Sequence, residues 1–154
     1  MAEEHAKFEA EVLTPEGPVF SGELVQLSTR TAVGDVGILA KHVPMVARLW
    51  PALLRLHMPD GEVRRYAQGE GWLEVFANQA RVLVVEAMPP DELDVGHLRE
   101  LLADSDRRLK ETEADAPEPQ TLIRPQHQKG SAANQQAWRD HRRAEAFLKI
   151  AEGG

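Results

Sequence analysis

Histidine next to glutamate at helical spacing is the first chemistry this chain offers. His97-x-x-Glu100 and His141-x-x-x-Glu145 each place two metal-ligating side chains on one helix face. A catalytic zinc takes three protein ligands, and no second pair completes either group. Both read as solvated helix surface, and no metal or other cofactor is expected. Ser21, Ser28 and Ser105 are nucleophiles by type, yet none lies in a G-x-S-x-G elbow. Asp35 and His42 are the types that form an acid–base pair, but nothing near them resembles a nucleophile or an oxyanion hole. Gly69-x-Gly71 falls inside a strand pattern and opens no helix, so it is not a phosphate loop. With no cysteine there is no thiol nucleophile, thiolate metal site or disulfide, which fits a reducing compartment. Residue chemistry points away from an enzyme.

The polar residues that remain of interest cluster in one segment, Val33-Gly34-Asp35-Val36-Gly37-Ile38-Leu39-Ala40-Lys41-His42-Val43-Pro44. Glycine opens backbone angles closed to other residues, and Pro44 biases Val43 toward an extended conformation. The segment reads as turn, short buried run at Ile38-Leu39, turn. That leaves Asp35, Lys41 and His42 on loop tips, where contacts with other molecules tend to sit.

The elements that must carry this segment are short strands. Residues 7–13 alternate Phe8, Ala10 and Val12 with Lys7, Glu9 and Glu11, the period of a half-buried strand. Pro15-Glu16-Gly17 is a turn, and Val19–Ser21 and Leu24–Leu27 follow as strands joined at Gly22. Met45–Leu49 and Leu53–Leu56 are strands separated by the break at Trp50-Pro51-Ala52. Pro59-Asp60-Gly61-Glu62 predicts a hairpin turn, with Glu62–Ala67 returning. Gly71–Phe76 and Arg81–Glu86 are joined by a four-residue loop at 77–80. This pattern predicts an antiparallel β-sandwich or barrel. In the last strand Val82 and Val84 face opposite to Leu83 and Val85, so both faces are apolar. The second face must be covered by the tail or by another subunit.

Met88-Pro89-Pro90 ends the strand region, and from Asp91 the period becomes helical. Leu98, Leu101, Leu102 and Leu109 recur on one face that also holds Ser105. Asp91 or Asp94 can cap the start. Asp104 with Arg108 and Asp106 with Lys110 are spaced as i,i+4 pairs. Residues 114–130 hold three prolines and little that is apolar, the composition of a flexible linker. A second helix is predicted from about Ser131 to Ala151. Ala137, Ala144, Leu148 and Ala151 share one face, with Trp138 and Phe147 beside it. Arg139, Arg142, Arg143 and Lys149 make it locally basic on a chain with a net charge of −7.

That acidic balance argues against nonspecific nucleic-acid binding. No run of about 18 apolar residues exists, so no membrane-spanning helix is expected. Met1-Ala2-Glu3-Glu4-His5 lacks the basic and apolar regions of a signal peptide. At 154 residues and 42% hydrophobic content, the chain fits one domain or a small domain with an appendage.

Five motifs in register carry a resemblance: Thr14-Pro15-Glu16-Gly17 with Val19-Phe20-Ser21-Gly22-Glu23, Gly34-Asp35-Val36-Gly37-Ile38-Leu39 with His42, Gly71-Trp72-Leu73-Glu74-Val75, Val82–Val85, and Leu93-Asp94. Together they resemble the epsilon subunit of bacterial and chloroplast F-type ATP synthases, over residues 7–112 and more loosely over 133–151. The resemblance implies a ten-stranded, all-β sandwich (1–89) followed by a two-helix α tail (90–154), here with an unusually long linker at 114–130. It implies a non-catalytic rotor subunit, bound to the gamma stalk and seated on the c-ring, whose tail can enter the alpha/beta catalytic head and obstruct hydrolysis. Asp35, Lys41 and His42 are then the expected ring contact, although the family's usual proline is Ala40 here. Arg139, Arg142, Arg143 and Lys149 are the expected inhibitory tail.

Some members of that family bind ATP through an Ile/Leu-Asp-x-x-Arg-Ala stretch. Leu93-Asp94-Val95-Gly96-His97-Leu98 matches only its first two positions. Imidazole is a poor substitute for a phosphate-gripping guanidinium, so Asp94 is expected to cap a helix, and no nucleotide site is expected. The implied location is peripheral, with no direct membrane insertion: the cytoplasmic face of a bacterial plasma membrane or the stromal face of a thylakoid. The competing reading is a freestanding β-sandwich binding module with a helical tail.

Overall fold

The computed structural model describes residues 5–114 and 132–153, with the side chains of 112–114 left out. Ten strands form one continuous ladder: β1 (Phe8–Thr14), β2 (Gly17–Leu24), β3 (Gln26–Thr31), β4 (Gly34–Leu39), β5 (Met45–Leu49), β6 (Ala52–His57), β7 (Val63–Gln68), β8 (Gly71–Phe76), β9 (Gln79–Val84) and β10 (Ala87–Met88). The order across the sheet is β10-β7-β6-β3-β5-β8-β9-β1-β2, with β4 paired to β3. β3 meets β5 at one register pair, Thr31 with Leu49. The ladder bends over at this junction, giving a layer of β10, β7, β6, β3 and β4 and a layer of β5, β8, β9, β1 and β2.

Alternation decides what lies between the layers. β9 reads exposed–buried throughout, so Ala80, Val82 and Val84 point inward. They join Phe8, Val12, Leu24, Leu27, Ile38, Leu54, Leu56, Leu73 and Val75 in the core. Burying a side chain of leucine size stabilises by about 1.5–3 kcal/mol. The same alternation corrects the expected buried run in β4: Ile38 is buried, whereas Leu39 turns outward and is 58% exposed.

Two turns also differ from expectation. β8 and β9 are joined by two residues, Ala77 and Asn78, with φ of 48° and 61°. Such a tight turn requires positive φ at both central positions and matches the twist of the flanking strands, so Gln79 and Ala80 belong to β9. The strand break expected at Gly22 falls at Val25, whose N–H donates to His57 O at 2.9 Å. Gly71 is fixed by a close approach, because a Cβ there would lie 1.9 Å from the Leu83 carbonyl oxygen.

After a 3-10 turn at Pro90–Glu92 come α1 (Val95–Ala114) and α2 (Ala132–Ala151). Of the two candidate caps, Asp94 does the work: its Oδ1 accepts from His97 N at 2.9 Å. On α1 Leu98 and Ser105 are buried, and the Ser105 hydroxyl donates to Leu102 O at 2.9 Å. Ala137, Ala144, Phe147 and Leu148 form the buried face of α2, while Trp138 is 48% exposed. The chain divides into two compact units, Met1–Leu93 with Lys149–Gly154 and Asp94–Leu148. The expected linker at 114–130 lies outside the described residues from residue 115 onward.

Candidate functional site

Asp35 does not lie on a loop tip. It is the second residue of β4, opposite Arg30 on β3, and the Arg30 Nε donates to its Oδ1 at 2.9 Å. The turn ahead of it is made by Ala32 and Val33. Thr31 Oγ1 donates to Gly34 O at 2.8 Å and accepts from Val33 N at 3.2 Å. Gly34, with φ of 141°, takes the unusual backbone angle, so the ladder has resumed by Asp35. Val33 forms the tip and is 97% exposed.

Lys41 and His42 do lie on a turn, at the far end of β4. Four strand steps carry β4 from Asp35 to its end at Leu39, about 13 Å at 3.3 Å per residue, before the turn that holds Lys41. Lys41 has φ of 62°, and its N–H donates to Asn78 Oδ1 at 2.7 Å. His42 N donates to Leu39 O at 3.2 Å, and its Nδ1 lies 2.7 Å from Val43 O. The three residues do not converge on one point.

Asn78 is the residue that sequence reasoning missed. Besides receiving Lys41 N, its Nδ2 donates to Lys7 O at 3.0 Å and its O accepts from Glu9 N at 3.2 Å. One turn residue therefore ties together the start of β1, the β4–β5 loop and the β8–β9 hairpin. An asparagine in a short hairpin connection signalled the turn, but its long-range partners depend on the layer order.

The outer face of the β5-β8-β9 sheet is apolar in part. Trp72 on β8 and Leu83 on β9 are register partners, 52% and 40% exposed. Val46 on β5, Phe76 on β8 and Val85 beyond β9 are also exposed. The expectation that the last strand is apolar on both sides holds only at Leu83 and at Val85 beyond it, since Gln79 and Arg81 share the outer face of β9. Glu74 crosses this strip in register with Arg81, which pairs with Glu11 at 3.2 Å.

In the helical unit, Arg108 Nη2 of α1 donates to Asp140 Oδ2 of α2 at 2.7 Å, and Arg108 Nε lies 2.9 Å from Asp104 Oδ2. The hydrogen bond to Asp140 holds the Arg108 guanidinium above its usual pKa, against a smaller opposing effect of burial. Asp106 lies 2.9 Å from His141 Nδ1, so it bridges the helices rather than forming the expected bond to Lys110. Arg139 and Lys149 are exposed and Arg142 half-buried, on the side of α2 away from its buried face, whereas the half-buried Arg143 flanks that face. The Arg143 guanidinium stands 4.9 Å over the Phe147 ring. Among the described residues no three metal-ligating side chains come together.

Residues 7–90 match the family described as ATP synthase, Delta/Epsilon chain, beta-sandwich domain. The chain belongs to the ATP synthase epsilon-chain family. Similar members include the ATP synthase epsilon chain of Persephonella marina, 39% identical over 67% of this chain and 76% of that one. The Alkalihalophilus pseudofirmus epsilon chain is 35% identical over 68% and 78%. The fold also resembles a chain of the Euglena gracilis mitochondrial ATP synthase, with a TM-score of 0.70 at 19% identity, covering 92% of this chain and 79% of that one. Epsilon chains are non-catalytic subunits of ATP synthase.

Proposed function

We propose that this epsilon chain is a rotor subunit of the central stalk, transmitting torque between the gamma subunit and the c-ring. The observation that supports this most is the open apolar strip of Val46, Trp72, Phe76 and Leu83. Exposed aromatic and aliphatic side chains gathered on one sheet face mark protein interfaces. Gamma is the partner assigned to that strip. Trp72→Ser with Phe76→Ser should abolish a stable complex with purified gamma while leaving the fold intact, since both side chains already face solvent. If the unaltered chain forms no complex with gamma, the freestanding binding module becomes the better reading.

The ring contact divides in this proposal. Asp35 lies close to the Val33 tip, and that end of β4 is assigned to the c-ring. Lys41 and His42 sit at the other end of β4, tied to the β8–β9 turn through Asn78, and are assigned to a separate contact. On α2, the face carrying Arg139, Arg142, Arg143 and Lys149 is assigned to acidic loops of the alpha/beta head, where it obstructs ATP hydrolysis. The location follows from the partners: peripheral to an energy-coupling membrane, on its cytoplasmic or stromal face. Among the described residues no helix is long and apolar enough to cross one.

A further inference from the structure

The other outer face of the sandwich carries a charge arrangement that its own fold does not explain. Arg55 on β6 and Arg65 on β7 are direct register partners, and both are exposed. Side chains directly opposite in an antiparallel pair have Cβ atoms about 5 Å apart, and like charges there are destabilising. Among the described residues neither guanidinium has an ion-pair or hydrogen-bond partner. Their neighbour Arg64 is different: it pairs with Glu62 at 3.0 Å and lies over the Phe20 ring at 5.8 Å.

The surroundings are open, and the strand partners beside the two arginines contain no acid; two residues along toward the β3–β4 turn, Asp35 is on the same face but pairs with Arg30 at 2.9 Å. Ser28 on β3 pairs with Arg55, and Gly37 on β4 pairs with Ser28. A Cβ at Gly37 would meet only Gln26 Nε2, at 3.9 Å, so a hydroxyl and bare backbone extend the surface beyond the arginines. Two residues along the same face lie Val63, His57, Gln26 and Leu39 in register. This is a basic patch on a chain of net charge −7.

Protection of a sheet edge accounts for half of it. β7 pairs with β10 only at Ala67 and Gln68, so its first residues form an edge, and a charge there deters strand pairing. That explains Arg65. It does not explain Arg55, because β6 is flanked by β3 and β7.

We propose that Arg55 and Arg65 together bind a carboxylate-bearing surface of a neighbouring ATP synthase subunit. This is a second interface, on the outer face opposite the apolar strip. Guanidinium forks grip carboxylates through paired hydrogen bonds, and an acidic partner converts the cross-strand repulsion into shared attraction. A protein is a better occupant than a small anion, because both arginines are exposed and a second protein surface would itself exclude the water around them. The inference rests on the stalk reading above.

The test is rebinding of the full chain to epsilon-depleted ATP synthase, measured at several salt concentrations. Arg55→Gln with Arg65→Gln should weaken rebinding about tenfold at low salt, with the difference shrinking as salt rises. The thermal midpoint of the free variant should stay level or rise, since a repulsion has been removed. Unchanged rebinding at every salt, or a lowered midpoint, overturns the inference. So does saturable binding of inorganic phosphate to the free chain that the double variant lacks, which would make this a small-anion site. If the unaltered chain itself fails to rebind, the stalk reading falls and this inference with it. If only the arginine variant fails to differ, this inference falls alone.

Discussion

At the residue scale, small backbone demands decide more than charges do. Asn78 combines a left-handed backbone angle with side-chain hydrogen bonds to Lys41 N and Lys7 O. Asn78→Ala loses both features and should cost about 1–3 kcal/mol in urea unfolding. Asn78→Gly keeps the turn and should cost less. Gly71→Ala should be worse than either exposed-face change at Trp72 or Phe76, because its Cβ would collide with the Leu83 carbonyl and separate β8 from β9. Asp94 is occupied as a helix cap, and His97 stands where ATP-binding relatives of the resemblance carry arginine. Titration calorimetry of the isolated chain with ATP should therefore show no binding below the millimolar range. A micromolar constant would reassign Asp94 to a nucleotide site.

At the element scale, α2 carries two separate sets of charges. Asp140 and His141 face α1, where they meet Arg108 and Asp106, whereas Arg139 and Arg142 lie away from the buried face and Arg143 stands over Phe147 at its margin. Changing those three arginines to glutamine should raise ATP hydrolysis in the reconstituted complex and reduce the salt sensitivity of inhibition. If the helix is removed and hydrolysis rises but the triple variant matches the unaltered chain, inhibition works by bulk or apolar packing. Arg108→Gln tests the other set, and amide exchange should quicken in the facing turns of both helices. The charge on Arg108 is not a pH switch. Its pKa is raised above an already high value, so the guanidinium's contribution is complete below the unfolded value and is lost only as pH rises past the folded one, in strongly alkaline solution.

At the scale of the whole molecule, the β-sandwich can be tested without the helical tail. Ending the chain after Pro90 retains the residues of the matched β-sandwich family, 7–90, with the core that lies between its layers. The truncated chain should unfold cooperatively, still bind gamma through the Trp72 and Phe76 strip, and leave ATP synthesis less affected than hydrolysis, which should rise. Unchanged hydrolysis after truncation would mean the tail does not inhibit in this enzyme. Alanine at Asp35 should weaken association with the membrane sector, whereas alanine at Lys41 and His42 should not. Equal losses from both would mean that the partner spans the length of β4.

Local chemistry made much of the fold legible in the sequence. Period-two alternation located Phe8–Val12, short apolar runs between turn residues located most of β8 and β9, Asp60-Gly61 predicted a hairpin, and the double proline at Pro89-Pro90 ended the sandwich. These signals act between neighbours in the chain, where sterics and side-chain periodicity suffice. Long-range placement was beyond them. The chain could not reveal that Asp35 and Lys41 lie at opposite ends of one strand, because Gly34 and Gly37 read as turn residues although both pair with β3 as part of β4. Nor could it show that Asn78 clamps Lys7 and Lys41, or that Arg55 stands opposite Arg65, since register between strands is set only when the layers close over their core. The sequence alone determined most of the strands and both helices. Tertiary structure decided which of them share a face, because that depends on pairings between residues as much as 71 positions apart.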